Sequence, residues 1–161
     1  MEKENKQNDF VDLANCRQDG DMFKKYQKIL EENYDPFGSQ ASIEDLGNEI
    51  IDETDHWFII NNQWSYKGED GKRLVRKHLV VISKGDFVTS PENLSQEALL
   101  EAFNVLQYCK GKFGIKGGGM CWRFGDTSLS GASVKRLHFH IIEPVLGEQV
   151  SVYLGHKEKG E

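Results

Sequence analysis

Residues 136–142, with the sequence RLHFHII, place two histidines and an arginine at alternate positions. In a β-strand, successive side chains point to opposite faces, so Arg136, His138 and His140 share one face. A strand rise of roughly 3.3 Å per residue sets the two imidazoles about 7 Å apart along the strand. Buried His and Arg side chains cost several kcal/mol unless each has a polar partner. The stripe therefore predicts that a polar or anionic group faces it.

A polar loop, residues 125–133 with the sequence GDTSLSGAS, leads directly into this strand. Small residues and hydroxyls allow such a loop to turn backbone N–H groups and side-chain donors toward an anion. The same composition is also common in solvated turns. Next to two histidines, however, converging donors are what a phosphate site requires, and we interpret loop and strand together as such a site.

Residues 131–142, GASVKRLHFHII, resemble the signature of the histidine-triad (HIT) nucleotide hydrolases and transferases. That signature has three histidines alternating with apolar residues and ends in two apolar residues. The two isoleucines after His140 fix the register, so His138 takes the middle position and Arg136 replaces the first histidine. The resemblance extends in order over about residues 35–146 and includes the segments 57–61, 78–84 and 121–126.

The resemblance implies a role for each matching residue. His138 would be the nucleophile, with its second ring nitrogen held by a backbone carbonyl of the same strand region. His140 would bind the phosphate of the transferred nucleotide, and Ser133 would donate a hydrogen bond to the leaving group. The predicted substrate-binding residues are Asn61 at the ribose, Phe58 and Ile59 at the base, His78 behind His138, Arg136 and Arg123 near the phosphates, and Asp126 in the loop before the strand.

The implied activity is cleavage of the α-phosphate linkage of a dinucleoside polyphosphate or a related adenylated compound, through a nucleotidyl-His138 intermediate. Hydrolysis, phosphorolysis and transfer differ only in the acceptor of the second step, and hydrolysis is the preferred prediction. No cofactor is expected to be required, although Mg²⁺ can arrive with a polyphosphate substrate. The resemblance also implies a homodimer, in which the apolar helix predicted over residues 99–113 would serve either the interface or the core.

Three other interpretations of the histidine pair stay open at this point. A zinc ion can be bound by alternate strand residues if a third ligand, such as His78, His156 or Asp126, converges on it. Alternatively, the protein binds or senses a nucleotide without turnover, with Arg136 as the sign of lost activity. The sequence also allows two histidines that are hydrogen-bonded but have no catalytic role.

Hydrophobic periodicity and turn signals outline the elements that must position these residues. They predict a helix from Asp21, an ambiguous helix or strand over residues 43–51, and a second helix capped by Ser95. The apolar stripe of that helix is Leu99, Ala102, Phe103, Leu106 and Cys109. Strands are predicted at residues 57–60, 78–82, 120–124, 136–142 and 149–154, with a turn at residues 68–71. We therefore predict one α+β domain, with a mostly antiparallel sheet and helices packed on one side.

Length and composition limit the remaining possibilities. The 161 residues fit one domain, and a net charge of −6 argues against a general nucleic-acid binder, which needs a basic face. Three scattered cysteines are typical of free buried thiols, and no segment has the composition of a signal peptide or membrane span, so we expect a cytoplasmic protein. The predicted organisation is a flexible arm at residues 1–20, a catalytic domain at residues 21–154 and a frayed tail at residues 155–161.

Overall fold

A five-stranded antiparallel sheet forms the centre of the protein in the computed structural model, which describes residues 7–16 and 20–156. The strands lie in the order β1-β2-β3-β5-β4. They are β1 Ile50–Glu53, β2 Trp57–Asn61, β3 Val75–Ser83, β4 Gly119–Trp122 and β5 His138–Pro144. The helices are α1 Gly20–Glu32, α2 Gln40–Asp45, α3 Gln96–Phe113 and the short α4 Thr127–Ser130. The predicted α+β class and antiparallel sheet are confirmed.

Helices cover both faces of this sheet. On one face, Ile59, Val81 and Phe139 pack against α3. On the other face, Ile60 and Val80 pack against α1, α2 and the segment of residues 11–16. The prediction that helices lie on one side only is therefore wrong, because the central strands are apolar on both faces and each face must be shielded from water.

The segment of residues 7–16 belongs to the core, although the sequence predicted a flexible arm there. Val11 is fully buried and pairs with Val134, while Leu13 and Cys16 are buried beside it. These few apolar residues have no periodicity of their own, and their partners lie more than a hundred positions away, so local patterns could not reveal the pairing. The remaining residues of the predicted arm, 1–6 and 17–19, lie outside the described residues.

Most helix predictions hold. The first helix begins at Gly20, and residues 43–51 contain both the end of α2 and the start of β1. Ser95 caps α3, as predicted, and Gly114 ends it in the left-handed conformation with φ 62°. Phe103 is 65% exposed, because the buried stripe of α3 runs through Ala98, Ala102, Val105 and Cys109 instead.

Two strand predictions need correction. Residues 149–154 form no strand; this segment runs back along the loop before β5, where Arg123 donates to the Tyr153 carbonyl. Strand β5 begins at His138, so Arg136 lies before it. The predicted turn at residues 68–71 is present, with Gly71 N–H donating to the Gly68 carbonyl. Residues 157–161 of the predicted tail lie outside the described part of the chain, and within that part no helix is long and apolar enough to cross a membrane.

Candidate active site

A cavity of about 240 Å³ opens on the face of the sheet that carries His138 and His140. Strand pairing places these residues opposite Ile82 and Val80 of β3, so the floor of the cavity is the centre of the sheet. Its walls come from α1, the loop before β5 and the segments flanking β2. The lining includes Asn15, Met22, Tyr26, Phe37, Asn48, Ile60, Asn62, Trp64, Tyr66, Arg123, and residues 131–134. Aromatic rings and polar groups thus surround the two histidines.

The ring of His138 is fixed in one orientation and one tautomer. Its Nδ1 lies 2.8 Å from the carbonyl oxygen of Arg136. Since a carbonyl only accepts hydrogen bonds, Nδ1 donates the proton and Nε2 keeps a free lone pair. Phe37 packs edge-on against the ring at 5.3 Å, and burial lowers the pKa of His138, which the charge of Arg123 lowers further. The predicted carbonyl bond is confirmed, and His138 is a neutral imidazole with the electronic form of a nucleophile.

His140 is the first member of a hydrogen-bonded row that leads away from the cavity. Its Nδ1 shares a hydrogen bond with Nε2 of His78 over 2.8 Å, and Nδ1 of His78 lies 2.9 Å from Oγ of Ser65. Tyr66 stacks on the His78 ring at 5.6 Å. Burial lowers the pKa of His78 to about 4, and burial with the neighbouring histidines lowers the pKa of His140 well below its usual value. His78 therefore supports His140, whereas the sequence placed it behind His138.

Arg123 brings positive charge to the cavity beside the polar loop. Its guanidinium donates to the carbonyls of Ser130 and Tyr153, which holds it against the loop. Gly131 lies next to it at φ 77°, and a Cβ at that position would come within 2.7 Å of the Gly155 carbonyl oxygen. Only glycine permits this close approach of two backbones. The arrangement supports the predicted role of Arg123 near a bound anion.

Ser133 lines the cavity, as predicted, at the point where the loop enters β5. Its side chain lies near the Cys16 thiol and the Tyr26 hydroxyl, both of which belong to the elements covering this face. Burial raises the pKa of the Cys16 thiol to about 12 and also raises the pKa of Tyr26. Both groups therefore stay protonated and are neutral neighbours of Ser133.

Arg136 does not line the cavity, which corrects its prediction as a substrate-binding residue. Its side chain is 4% exposed and pairs with Asp35 through Nε at 2.7 Å. The remaining guanidinium groups donate to the backbone carbonyls of Ser83, Gly85 and Asp86. The sequence placed Arg136 on the histidine face because it assumed that the strand began there, but β5 begins at His138 and Arg136 lies at a bend before it.

The predicted nucleoside contacts are displaced by one residue. Asn61 is exposed, and Ile59 is fully buried on the opposite face against α3. Phe58 shares the histidine face but lies outside the cavity, with Lys84 over its ring at 4.5 Å. The cavity is lined instead by Ile60 and Asn62. Because strand side chains alternate, a shift of one position exchanges the two faces.

Asp126 lies outside the cavity and caps α4, where its carboxylate accepts from the Ser128 N–H. This contact corrects its prediction as a substrate-binding residue. Among residues 7–16 and 20–156, no group of three His, Cys, Asp or Glu side chains converges on a common point. The His78 and His140 nitrogens face each other at 2.8 Å, a separation at which they share a proton.

Several cavity residues were not predicted from the sequence. Asn15 comes from the segment that the sequence treated as a flexible arm, and Tyr26 was recognised only as a helix core residue. Asn48, Trp64 and Tyr66 come from irregular segments that flank the first strands. Among them, Asn62 had a usable sequence signal, because it lies two positions after Ile60 and therefore shares its face of the strand. In the structure its N–H donates to the His78 carbonyl.

Comparison with known proteins finds similarity in solved structures. No family model and no curated protein matches the sequence. A histidine triad protein from Clostridium difficile has 18% identity and a TM-score of 0.47, with 66% of this chain and 84% of that chain covered. A zinc-bound histidine triad family protein from Mycobacterium smegmatis has 16% identity and a TM-score of 0.46, with 68% and 73% covered. The diadenosine triphosphate hydrolase of Plasmodium falciparum, solved in complex with cyclomarin A, has 19% identity and a TM-score of 0.44, with 79% and 86% covered. This chain is similar, at low identity, to proteins described as histidine triad proteins and as a diadenosine triphosphate hydrolase.

Proposed function

We propose that the protein is a nucleotide hydrolase or nucleotidyl transferase that acts through a nucleotidyl-His138 intermediate, with hydrolysis as the preferred reaction. The observation that carries this proposal is the tautomer of His138. Its Nδ1–H is bound by the Arg136 carbonyl, so Nε2 is the nitrogen left to act in the cavity. A nucleophilic histidine requires this form.

The substrate class follows from the walls of the cavity. Aromatic side chains of Trp64, Tyr66 and Phe37 suit a flat base, while Arg123 and the loop before β5 suit a phosphate. A volume of about 240 Å³ suits one nucleoside monophosphate unit. We therefore propose a dinucleoside polyphosphate or a related adenylated compound, whose second part extends into solvent. Such a polyphosphate can carry Mg²⁺ with it, and the proposal requires no resident cofactor.

The chemistry has two steps. In the first step, Nε2 of His138 attacks the α-phosphorus, the P–N bond forms, and the leaving oxygen departs with the electron pair of the broken P–O bond. The ring is then cationic, and the Arg136 carbonyl stabilises it through the Nδ1–H bond. In the second step, water attacks phosphorus, the P–N electron pair returns to Nε2, and His140 takes a proton from the water. The row of His140, His78 and Ser65 can pass this proton away from the cavity.

The negative charge that develops on phosphate needs fixed donors. Arg123 provides a cation held in place by two backbone carbonyls. Ser133 provides a hydroxyl at the edge of the cavity, toward the leaving group. Such donors, positioned before the substrate arrives, stabilise a transition state without reorganisation.

A nucleotide-binding protein without turnover is the second candidate function. One observation favours it: Arg136, at the first triad position, is used for a buried ion pair and contributes no group to the cavity. This protein would bind the same nucleotides and release no product.

The deciding experiment measures AMP release from diadenosine tetraphosphate and from an adenosine phosphoramidate by chromatography. We expect His138→Ala to lower the wild-type rate by 10³-fold or more, which corresponds to roughly 4 kcal/mol of barrier. Intact mass spectrometry after a rapid quench in alkaline denaturant, in which the P–N bond survives, should detect one added nucleotidyl group on wild type and none on His138→Ala.

The matched control is His56→Ala, which removes a histidine bonded to Glu101 outside the cavity. It should keep the wild-type rate. Tight AMP binding without turnover would favour the second candidate function. Equal rates in wild type and His138→Ala would overturn the covalent mechanism.

We also propose a homodimer located in the cytoplasm. Leu100 and Phe103 on α3 are 70% and 65% exposed, which is unusual for two large apolar side chains on one helix and suits a second copy of the chain. The three cysteines are free, as in proteins of reducing compartments. The molar mass in solution, measured by light scattering, tests the dimer.

A further inference from the structure

The loop that faces the proposed phosphate site is attached to the N-terminal segment at both of its ends. Asn15 Nδ2 donates to the carbonyl of Thr127, where the loop begins as α4, and to the carbonyl of Ala132, where it ends. Both distances are 2.9 Å. One amide group thus spans the loop and uses both of its N–H donors to do so.

Further contacts extend this attachment toward β5. The Asp12 carboxylate accepts from Oγ1 of Thr127 at 2.7 Å, and the Asp12 N–H donates to the Ser133 carbonyl at 2.9 Å. The Lys135 N–H donates to the Phe10 carbonyl at 2.8 Å. The N-terminal segment therefore contacts the loop and the residues that lead into the histidine strand.

We propose that residues 10–16 form a clamp on loop 127–133, and that Asn15 is a positioning residue for the phosphate-facing groups of that loop. This inference rests on the proposed function, because it assigns the loop to a bound phosphate. Asn15 also lines the cavity, next to residues 131–133 of the loop that it holds. Loss of its two hydrogen bonds would free the loop while His138 stays fixed in β5.

The expected effect is selective for ligands that carry a phosphate. A shift of about 1 Å in positioning groups can cost around 10²-fold in rate, whereas the walls that face the base would be unchanged. Asn15→Ala should therefore weaken AMP binding tenfold or more, and it should change adenosine binding less than twofold. Asn15→Asp retains the shape of the side chain but removes both donors, and it should show the same selectivity.

Asn8→Ala is the matched control. Asn8 holds the same segment from its other side, through hydrogen bonds from Nδ2 to the carbonyls of Ile29 and Leu30 and from the Phe10 and Val11 N–H groups to Oδ1. It does not line the cavity. If the segment only stabilised the fold, Asn15→Ala and Asn8→Ala would change the affinities for AMP and adenosine in the same way. The clamp predicts that only Asn15→Ala changes the ratio of AMP to adenosine affinity.

The experiment combines isothermal titration calorimetry, with AMP and adenosine as probes, and hydrogen exchange of the ligand-free protein. Exchange of the amides of residues 127–135 should accelerate in Asn15→Ala and stay near wild type in Asn8→Ala. Equal losses of AMP and adenosine affinity, or unchanged loop exchange, would overturn the clamp. If wild type binds neither probe, the proposed function fails, and hydrogen exchange still decides whether the clamp exists. If Asn15→Ala does not fold, Thr127→Val, which removes only the bond to Asp12, replaces it.

Discussion

Arg136 makes four hydrogen bonds from a side chain that is 4% exposed, and each acceptor lies outside the cavity. Its partner Asp35 belongs to the turn that presents Phe37 to the ring of His138. Its backbone carbonyl fixes the Nδ1 proton of the same histidine. At the scale of single residues, Arg136 therefore positions His138 through its backbone and through the turn, without touching a ligand itself.

This arrangement predicts the outcome of Arg136→His, the change that would give histidines at the three alternate positions 136, 138 and 140. A neutral imidazole cannot satisfy Asp35 and three carbonyls, and breaking a buried ion pair costs roughly 3–5 kcal/mol. We expect urea unfolding to show a loss of this size and AMP release to fall rather than rise.

The double variant Asp35→Asn with Arg136→His provides the control. Because the two residues form one pair, the losses of the single variants should not add. An Arg136→His protein with wild-type stability and faster AMP release would instead mean that Arg136 stands in for a catalytic histidine.

At the scale of elements, the alternation of side chains along β2 and just after it decides which of them line the cavity. Asn62 lines the cavity, its Nδ2 lies 3.2 Å from Nε2 of His78, and its Oδ1 accepts from the Trp64 N–H. Asn61 is exposed and pairs with Leu79, on the row that faces α3. The two adjacent asparagines thus lie on opposite faces of the sheet.

Asn61 and Asn62 allow a test in which the variant of each residue is the control for the other. Asn62→Ala should weaken AMP binding by about tenfold, because it removes a cavity amide and a contact of His78, and each tenfold step is about 1.4 kcal/mol. Asn61→Ala should bind AMP as wild type does. Calorimetry on both proteins checks this, and the opposite pattern would mean that β2 is shifted by one residue.

Periodicity in the sequence was sufficient to predict the presence of β3, β5, α1 and α3, because long apolar patterns specify an element. It did not give the buried stripe of α3 or the start of β5 correctly. The period of two also placed His138 and His140 on one face, and the family resemblance added Ser133 to their site. Periodicity failed for the core position of Val11 and for the cavity positions of Asn15 and Tyr26, since these depend on pairing between distant segments. Asn61 and Ile59 were misplaced because β2 is apolar on both faces, so its composition does not reveal its register.

At the scale of the whole molecule, covering the histidine face with α1, α2 and the N-terminal segment has an energetic consequence. His78 and His138 are 6% and 8% exposed, and burial lowers the pKa values of both, as it does for His140. The folded protein therefore binds fewer protons than the unfolded chain at mildly acidic pH. The free energy of unfolding decreases with falling pH wherever the unfolded chain binds more protons than the folded protein.

This difference fixes the direction of the pH dependence. As the pH falls below about 6.5, the histidines of the unfolded chain become protonated, whereas the buried histidines of the folded chain stay neutral. The free energy of unfolding therefore decreases. For His78 the loss is complete near its folded pKa of about 4, and it amounts to about 3 kcal/mol. The pKa of Asp52 is lowered to about 2 by Lys112 and Tyr108, so its contribution is lost only at more acidic pH.

Urea unfolding of wild type between pH 7 and pH 4 should therefore show a steady loss of stability. His78→Asn keeps a polar group beside Ser65 but removes one titrating ring, so its profile should be flatter over this range even if its stability at pH 7 is lower. Identical slopes in wild type and His78→Asn would mean that His78 is not held neutral by burial, and that the proton row behind His140 is open to solvent.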